Sequence, residues 1–501
     1  MHHLLSLLIW LPIIGGVFVL LTGDDNKPDV SRYLSLFTVI LSLIACIPLA
    51  IFFDTNSYTM QFIEELPWFP AAGINYSLGV DGLSVLLIIL SVFTNLIVIL
   101  CTWDSIRTRV GQYLAAFLIM QGLLVGVFAA TDGILFYIFW EATLIPMYLI
   151  IGIWGSDNRI YAAIKFFLYT FLGSVLLLAS LLYMGFILGT FKIEMFYALK
   201  LSMTAQTLIF ISFFLAFAIK IPMFPVHTWL PDAHTEAPAG GSVMLAAILL
   251  KLGAYGFIRF ALPIVPDACR KFAPLMVALS LIAVVYVGLV AVIQKDMKRL
   301  IAYSSISHMG FVTLGCYAIY AISGQSGLGN AGLLLEGAIV VMISHAFISS
   351  AMFAGVGFLY ERMHTRELSE FGGIVHSMPV FSAFFMLFAM ANAGLPGTSG
   401  FVGEFMVILS SVKANFWIGF WAATTLIIGA AYTLWMYKRV IFGKVVNEKV
   451  ATLRDLTGFE LSSYVLLAFM VLAMGLYPKP MIDYIHQTVS HTLALADKSK
   501  L

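Results

Sequence analysis

Apolar runs long enough to cross a lipid bilayer recur along the whole of this chain. A hydrocarbon core of about 30 Å is spanned by roughly 20 apolar residues in a helix. Fourteen runs reach that length between flanking charges, prolines and glycines. They cover residues 4–22, 33–53, 80–102, 112–131, 133–154, 163–190, 204–223, 240–262, 273–293, 300–321, 332–359, 375–412, 415–441 and 459–477. The pattern predicts an all-α, polytopic membrane protein of about fourteen transmembrane helices, numbered TM1 to TM14 in chain order.

The composition excludes a soluble globular protein and a nucleic-acid-binding protein. Of the 501 residues, 61% are hydrophobic and only 11% are charged, and the fourteen runs leave no room for a separate domain outside the membrane. The 27 basic and 26 acidic side chains give a formal net charge of +1, so no basic field is available to attract nucleic acid. The first run, 1–21, lacks the basic region and Ala-x-Ala site of a signal peptide, and we expect a retained first helix.

The four cysteines do not form a metal-binding pattern. Cys46, Cys101, Cys269 and Cys316 are far apart, and no Cys-x-x-Cys spacing occurs. Because iron–sulfur clusters and structural zinc need closely spaced thiolates, we expect no metal cluster in this chain.

The basic residues divide unequally between the two sides of the predicted bundle. Sixteen fall in the loops of one side, Lys298 among them, and nine fall in those of the other side, Arg259 among them. Since cytoplasmic loops are enriched in lysine and arginine, this bias predicts that both termini lie on the outer side. The two remaining lysines, Lys220 and Lys251, fit in no loop and are predicted to lie inside the membrane.

Four charged side chains are predicted within the hydrocarbon core: Glu141, Lys220, Lys251 and Glu404. Each costs about 2.5 to 3.5 kcal/mol at the centre of a helix, or roughly 10 to 14 kcal/mol for all four if they are unpaired. A lone Glu–Lys pair could be a structural salt bridge between helices. Two buried lysines beside one nearby acid leave a surplus positive charge, however, and a lysine in that position can load and release a proton.

Two histidines extend this charged series. His345 lies in the middle of TM11, and His308 lies in the first half of TM10. A single histidine in a helix is more often a packing residue. Beside buried lysines and glutamates, however, the two imidazoles would complete a Lys, His, Glu series whose protonation the surroundings can tune.

Two predicted helices are interrupted next to a buried charge. The stretch 374–412 has 39 residues, which as one helix would measure about 58 Å against a core of about 30 Å. Pro396, set among glycines, breaks this stretch, and Pro222 and Pro225 follow shortly after Lys220. Broken helices in the two halves of a transporter mark its ion path. Two ordinary proline kinks are the alternative.

The loop after the first break holds four possible metal ligands: His227, Asp232, His234 and Glu236. Its prolines make the ligand geometry irregular, and no His-Glu-x-x-His motif is present. We therefore disfavour a zinc site and expect no metal in this chain. His227 could instead begin a proton entry route.

Three motifs make the chain resemble the antiporter-like membrane subunits of respiratory complex I over nearly its whole length. They are FWEATLIPMYLI from Phe139, KIPMFPVHTWLPDAHTEAP from Lys220 and GLPGTSGFVGEF from Gly394. Within that family the chain is most similar to the M branch, because the sister subunits L and N and the Mrp-type antiporter chains usually carry lysine at the position of Glu404. The 24 residues after residue 477 also agree, since they are too few for the additional helices and long lateral helix of subunit L.

The resemblance implies two inverted five-helix repeats, TM4–TM8 and TM9–TM13, each with one discontinuous helix. The implied divisions of the chain are 1–111 for TM1 to TM3, 112–262 for the first repeat, 272–441 for the second repeat and 442–501 for TM14 and the tail. In the segment 323–332 we expect the loop geometry to depart from that of relatives.

The resemblance also implies a role for each buried residue of the first repeat. Glu141 would pair with Lys220 and modulate its pKa. Lys220 would carry the proton in the first half-channel, and Lys251 would be the bridge to the second half-channel.

In the second repeat, His308 and His345 would relay protons to Glu404 at the exit. The implied function is proton translocation coupled to electron transfer from NADH to quinone, in a complex where this chain is a redox-silent subunit. NADH, FMN, the iron–sulfur clusters and quinone would bind to other subunits, and this chain would bind no cofactor. The expected neighbours are subunits L and N, in the bacterial inner (cytoplasmic) membrane.

Three other functions stay open. The nearest is a Mrp-type cation/proton antiporter or a membrane-hydrogenase subunit, against which Glu404 argues. A passive scaffold would only hold a complex together, and normal pumping without Lys220 or Glu141 would favour it. A stand-alone solute transporter would need a substrate pocket beyond the proton line.

Overall fold

The computed structural model describes residues 3–322, 328–445 and 447–501. Part of the segment 323–332 therefore lies outside the described residues, and so does the expectation about its loop geometry. All fourteen predicted runs form helices. Their bounds are TM1 Leu4–Thr22, TM2 Pro28–Ile51, TM3 Gly82–Cys101, TM4 Val110–Ala129, TM5 Gly133–Trp154, TM6 Arg159–Leu188, TM7a Met203–Lys220, TM7b Trp229–Glu236, TM8 Ala239–Ile264, TM9 Pro266–Val292, TM10 Met297–Tyr317, TM11 Leu328–Met363, TM12a Pro379–Asn392, TM12b Ser399–Ala414, TM13 Phe416–Val440 and TM14 Gly458–Leu476.

Among the described residues, twelve helices are long and apolar enough to span a membrane. The other two crossings are the more polar TM10 and the interrupted TM12. A further amphipathic helix, Lys479–Asp497, occupies what the sequence analysis leaves as a tail. The short helices are Ile193–Phe196, Ile319–Ile322, Ile374–Ser377 and Glu448–Ala451, with 3-10 turns at Pro70–Ala72 and Leu368–Glu370.

Both predicted helix interruptions are confirmed. TM7 stops at Lys220 and resumes at Trp229, and TM12 stops at Asn392 and resumes at Ser399. In the second gap Gly394 and Gly397 have φ of +80° and +90°, a left-handed conformation that glycine adopts without steric cost. The interrupted helix is the fourth of five in both TM4–TM8 and TM9–TM13. The residue boundaries given above for the divisions of the chain stay predictions.

Two central helices are almost completely buried, whereas the helices at the perimeter expose apolar side chains. In the most apolar stretch of each helix, 100% of TM8 and 89% of TM11 is buried, against 33% of TM1, TM2 and TM13. Large apolar side chains cover the perimeter, with Leu21, Phe186 and Ile427 each at least 75% exposed. Such an apolar surface is costly in water and suits a bilayer, while the centre at TM8 and TM11 is sealed from it.

A β-hairpin lies at one end of the bundle, where the sequence analysis assigned no strand. Strand β1, Gln61–Phe69, pairs antiparallel with β2, Ile74–Val80. The buried Glu64 carboxylate accepts a hydrogen bond of 2.7 Å from Leu5 N at the start of TM1. Near the other terminus, Lys500 N donates to Asp267 Oδ2 at the start of TM9. Both chain ends therefore lie on the hairpin side, here named the hairpin face; the opposite end is the loop face.

Candidate functional site

Lys251 lies at the midpoint of TM8, the most deeply buried helix. Its residue is 0% exposed. The ammonium Nζ donates to Ala246 O at 2.6 Å and lies 2.9 Å from His345 Nδ1 of TM11. Ala246 belongs to the π-helical turn Leu245–Leu249, an irregularity that is frequent at functional sites. The predicted lysine is therefore inside the membrane, and its direct partner is the predicted histidine rather than an acid.

His308 joins the line on its other side. His308 Nδ1 lies 2.6 Å from Glu404 Oε1, and its Nε2 lies 3.4 Å from the Tyr432 hydroxyl. The rings of His308 and His345 are 5.8 Å apart. A cavity of about 10 Å³ lies among His308, His345 and Glu404, which is about the space of one water molecule. Lys251, His345, His308 and Glu404 thus form a nearly continuous polar line through the bundle centre.

The second helix interruption positions the end of this line. Glu404 lies in the second turn of TM12b, directly after the interruption. Gly400 allows this start to approach TM12a, since a Cβ there would lie 2.2 Å from Ala391 O. The hydroxyl of Ser344 on TM11 bonds to that of Ser399 at 2.9 Å. The break therefore holds Glu404 beside TM11 while leaving polar backbone in the core.

Glu141 and Lys220 form a second, looser pair in the first repeat. Lys220 is 2% exposed and is the last residue of TM7a, where the negative end of the helix dipole favours a cation. Its Nζ lies 5.2 Å from the centre of the Trp140 ring. Among the residues that the structure describes, neither Lys220 Nζ nor Glu141 Oε1 has a hydrogen-bond partner. The carboxylate therefore acts on the ammonium through space.

The two pairs meet where TM7a packs against TM8. A Cβ at Gly253 would lie 2.4 Å from Phe217 O and 2.7 Å from Ile221 N, so only glycine allows the two backbones to be this close. Between the described residues of the two helices, no hydrogen bond joins Lys220 to Lys251. A proton moving between these lysines would need water or a side-chain movement.

His227 lies in the TM7 interruption. The residue is 8% exposed, and its Nδ1 has no hydrogen-bond partner in the described part of the chain. Two of the other three candidate zinc ligands, Asp232 and Glu236, are already bound to other parts of the chain. Asp232 binds Lys165 at 2.7 Å and Arg299 at 2.8 Å, and Glu236 accepts from the backbone N–H of residue 158.

The sequence did not indicate that two further buried groups, His234 and Lys298, accompany the line from Lys251 to Glu404. His234 is 0% exposed and stacks on Phe353 at 4.3 Å, and neither ring nitrogen has a hydrogen-bond partner within residues 3–322, 328–445 and 447–501. Lys298 is 3% exposed and donates to Ala237 O at 2.6 Å, so its assignment to a loop was wrong. His234 interacts electrostatically with both Lys298 and Lys251. The signal available in the sequence was the position of Lys298 at the start of TM10. There, a shift of one helical turn in the predicted boundary moves the side chain from the loop into the buried core.

Arg259 was also wrongly assigned to a loop. It lies inside TM8 with 9% of its side chain exposed and forms an ion pair of 2.6 Å with Asp81 at the start of TM3. Its spacing of eight residues from Lys251 could have indicated the same helix face.

The chain matches known proteins along its whole length. Residues 130–429 match the family model described as NADH:quinone oxidoreductase/Mrp antiporter, TM. The chain is 44% identical to NADH-quinone oxidoreductase subunit M of Rhodobacter capsulatus, with 98% of this chain and 96% of that protein covered. It is 42% identical to NADH-ubiquinone oxidoreductase chain 4 of Chondrus crispus, with 96% and 97% covered.

A solved structure agrees with these sequence relatives. A chain in respiratory complex I from Thermus thermophilus with bound NADH superimposes on this structure with a TM-score of 0.88 and 30% identity, covering 99% of this chain and 100% of that one. The matched family region contains both interrupted helices and the buried residues Glu141, Lys220, Lys251, His308, His345 and Glu404. The chain belongs to the family of NADH-quinone oxidoreductase subunit M.

Proposed function

We propose that this chain is a proton-translocating membrane subunit of a NADH:quinone oxidoreductase. The observation that carries the proposal is the line from Lys251 through His345 and His308 to Glu404, with contacts of 2.9 Å and 2.6 Å at its two ends. Each member can hold or release a proton. A passive scaffold would not need ionisable residues at these buried positions, since well-packed apolar residues are often at least as stabilising.

In the first repeat, Glu141 and Lys220 form the coupling pair. A charge that arrives near Glu141 from a neighbouring subunit changes the field at Lys220, whose ammonium has no hydrogen-bond partner within the described part of the chain. The lysine then gives up its proton toward Lys251. Lys251 passes the proton to His345 Nδ1, and the relay continues through His308 to the Glu404 carboxylate.

Two approaches from the loop-face side are suited to supply protons. The first is His227 within the TM7 interruption, whose Nδ1 has no hydrogen-bond partner among the described residues. Lys298 and His234 form a second approach, since His234 lies within the field of both Lys298 and Lys251. We infer that protons enter by these groups from the cytoplasmic side.

The hairpin face, with both termini, is proposed to lie on the outer (periplasmic) side of a bacterial inner membrane. Moving Lys298 and Arg259 from loops to core changes the loop census from sixteen against nine to fifteen against eight. The bias of basic residues toward the loop face therefore persists, and it supports this orientation.

The energy for pumping must come from other chains. Moving one charge against 100 mV requires about 2.3 kcal/mol, and this chain is proposed to be redox-silent. NADH, FMN, the iron–sulfur clusters and quinone would be bound by partner subunits, with subunits L and N as direct neighbours. This chain would contribute only the proton path.

The test is proton pumping by the assembled complex carrying Lys220→Ala or Glu141→Ala. Most NADH-driven pumping should be lost while the complex still assembles, because among the described residues neither Lys220 Nζ nor Glu141 Oε1 has a hydrogen-bond partner that the substitution would remove. The control is Lys449→Ala, at an exposed lysine in the short helix before TM14. Normal pumping in both variants would support a passive scaffold, and cation/proton exchange by the purified chain alone would support the antiporter alternative.

A further inference from the structure

TM8 carries a second series of polar side chains, which leads from Lys251 toward the hairpin face. Lys251, Tyr255 and Arg259 are spaced four residues apart, so they share one face and are separated by about 6 Å each along the helix. Arg259 lies within the π-helical turn Phe257–Ala261. TM8 thus has one π turn beside Lys251 and another at Arg259, and neither Tyr255 nor Arg259 has a place in the relay to Glu404.

Arg259 and Asp81 close the outer end of this series. Arg259 Nη2 lies 2.6 Å from Asp81 Oδ2, and both side chains are at least nine-tenths buried. Arg259 Nε donates to the Tyr255 hydroxyl at 3.2 Å, and that hydroxyl donates to Phe128 O at 3.3 Å. A hydrogen-bonded cluster therefore extends from the ion pair one helical turn toward Lys251.

A large cavity lies on the far side of the ion pair. It has a volume of about 510 Å³ and is lined by Asp81, Arg259, Glu194, His491 and Lys498. That volume has room for on the order of ten to twenty water molecules at about 30 Å³ each. Glu194 and Lys498 are exposed, so the cavity reaches the surface of the hairpin face.

His491 gives the cavity a titratable wall. Its ring stacks on Tyr58 at 4.5 Å, and burial lowers the pKa of His491 below its usual range. The neutral ring and the Glu194 carboxylate can both accept protons from cavity water.

A buried ion pair at this position needs a reason other than stability. Well-packed apolar residues of similar volume are often at least as stabilising as a buried ion pair. A guanidinium in a pore repels protons, and an aspartate paired with it is not free to accept one. The pair therefore separates cavity water from Lys251 as long as it is closed.

We propose that the Asp81–Arg259 pair is the gate of a second proton outlet, which leads from Lys251 to the hairpin-face cavity. The proposal rests on the proposed function of Lys251. When Arg259 moves away, the Lys251 ammonium gives one proton to the Tyr255 hydroxyl by way of water, and that hydroxyl gives up its own proton to the Asp81 carboxylate. Lys251 is left as a neutral amine. Asp81 then releases the proton to cavity water as hydronium and is again a carboxylate that pairs with Arg259.

Blocking the cavity tests the outlet without disturbing the gate. Leu495→Cys places a thiol in the cavity wall, and Ala494→Cys places one on the exposed side of the same helix; the four native cysteines are buried. The complex in liposomes is treated with a charged, membrane-impermeant thiol reagent, with the unsubstituted complex as baseline. We expect labelling of Leu495→Cys to lower the protons pumped per NADH at least two-fold relative to the unlabelled variant, and labelling of Ala494→Cys to change nothing. Complete labelling of Leu495→Cys without loss, or no labelling at all, would overturn the outlet.

Opening the gate tests the ion pair itself. Arg259→Gln removes the guanidinium, and we expect an imposed pH gradient to decay at least three-fold faster across liposomes holding the assembled complex without NADH. A purely structural pair would lower the yield of assembled complex but leave the leak per complex unchanged, and that result would overturn the gate. Asp81→Asn keeps the side-chain oxygen that accepts a hydrogen bond from Ser84 N and caps the start of TM3. Asparagine cannot carry a proton, however, so this variant should also lower the protons pumped per NADH.

Failure of the outlet and failure of the proposed function give different results. If Lys251→Met abolishes pumping while the Leu495→Cys labelling test and the Arg259→Gln leak test are both negative, only the second outlet is wrong. If Lys251→Met pumps normally, the proposed function is wrong as well.

Discussion

Glu404→Gln tests the second half of the proton line with little change in shape. Glu404 is 4% exposed, and its Oε1 lies 2.6 Å from His308 Nδ1. Glutamine has the same size and can keep a neutral hydrogen bond to that nitrogen. It cannot accept a proton, however, and it removes the negative charge that faces His308 Nδ1.

The expected loss follows from the strength of that contact. A hydrogen bond to a charged group contributes about 1.5 to 3 kcal/mol, against about 0.5 to 1.5 kcal/mol for a neutral one. A difference of about 1 to 1.5 kcal/mol corresponds to a roughly five- to thirteen-fold weaker contact between His308 and the side chain at position 404. Because the terminal acceptor is also missing, we expect NADH-driven pumping to fall at least five-fold.

The assay is acidification of inverted membrane vesicles after addition of NADH, followed with a pH-sensitive dye. Rates are divided by the amount of assembled complex, measured as NADH oxidation with an artificial acceptor. Glu448→Gln, an exposed glutamate before TM14, is the matched control. If Glu404→Gln pumps within two-fold of this control, the relay through His308 to position 404 is wrong.

Two further predictions concern the entry side and the helix packing. Lys298→Met removes the bond to Ala237 O and the positive charge near His234, so the initial pumping rate should fall at least three-fold. The control Lys295→Met, at an exposed lysine, should match the unsubstituted complex. Equal pumping rates in the two variants would exclude this entry route. Gly253→Ala would place a Cβ 2.4 Å from Phe217 O, whereas nothing lies within 4 Å of a Cβ at Gly332. Although alanine is normally the better helix residue by about 0.5 to 1 kcal/mol, Gly253→Ala should lower the melting temperature of the purified complex and Gly332→Ala should not. A lowered melting temperature in both variants, or in neither, would contradict this packing.

The helices and the two breaks could be predicted because lipid imposes a simple rule on sequence. An apolar run of about 20 residues must be a helix, and a run of 39 residues cannot be one straight helix. Lys220 and Lys251 were identified because each stands alone in such a run. Their burial, at 2% and 0% exposure, confirms that prediction.

Charges near helix ends were harder to place. Lys298 follows the loop after TM9, and Arg259 lies five residues before the end of TM8, so each was compatible with a loop. Their burial is decided by partners from distant parts of the chain: Ala237 O for Lys298 and Asp81 for Arg259. A single sequence does not reveal such contacts.

The partners within the proton line also depend on tertiary packing. Lys251 and His345 are 94 residues apart, and His308 and Glu404 are 96 residues apart. The charged set could be predicted from burial cost, but the direct contact of Lys251 with a histidine could not. The hairpin β1–β2 was missed because its residues form no apolar run that crosses the membrane.

The most direct test of the central claim is the number of protons translocated per NADH oxidised by the complex carrying Lys251→Met, reconstituted in liposomes. Methionine fills the same buried space but removes the one proton carrier that joins the two halves of the line. The account predicts a clear fall in this ratio relative to the unsubstituted complex, with assembly retained. An unchanged ratio in the assembled variant would contradict the claim that protons cross this chain through its buried lysine, histidines and glutamate.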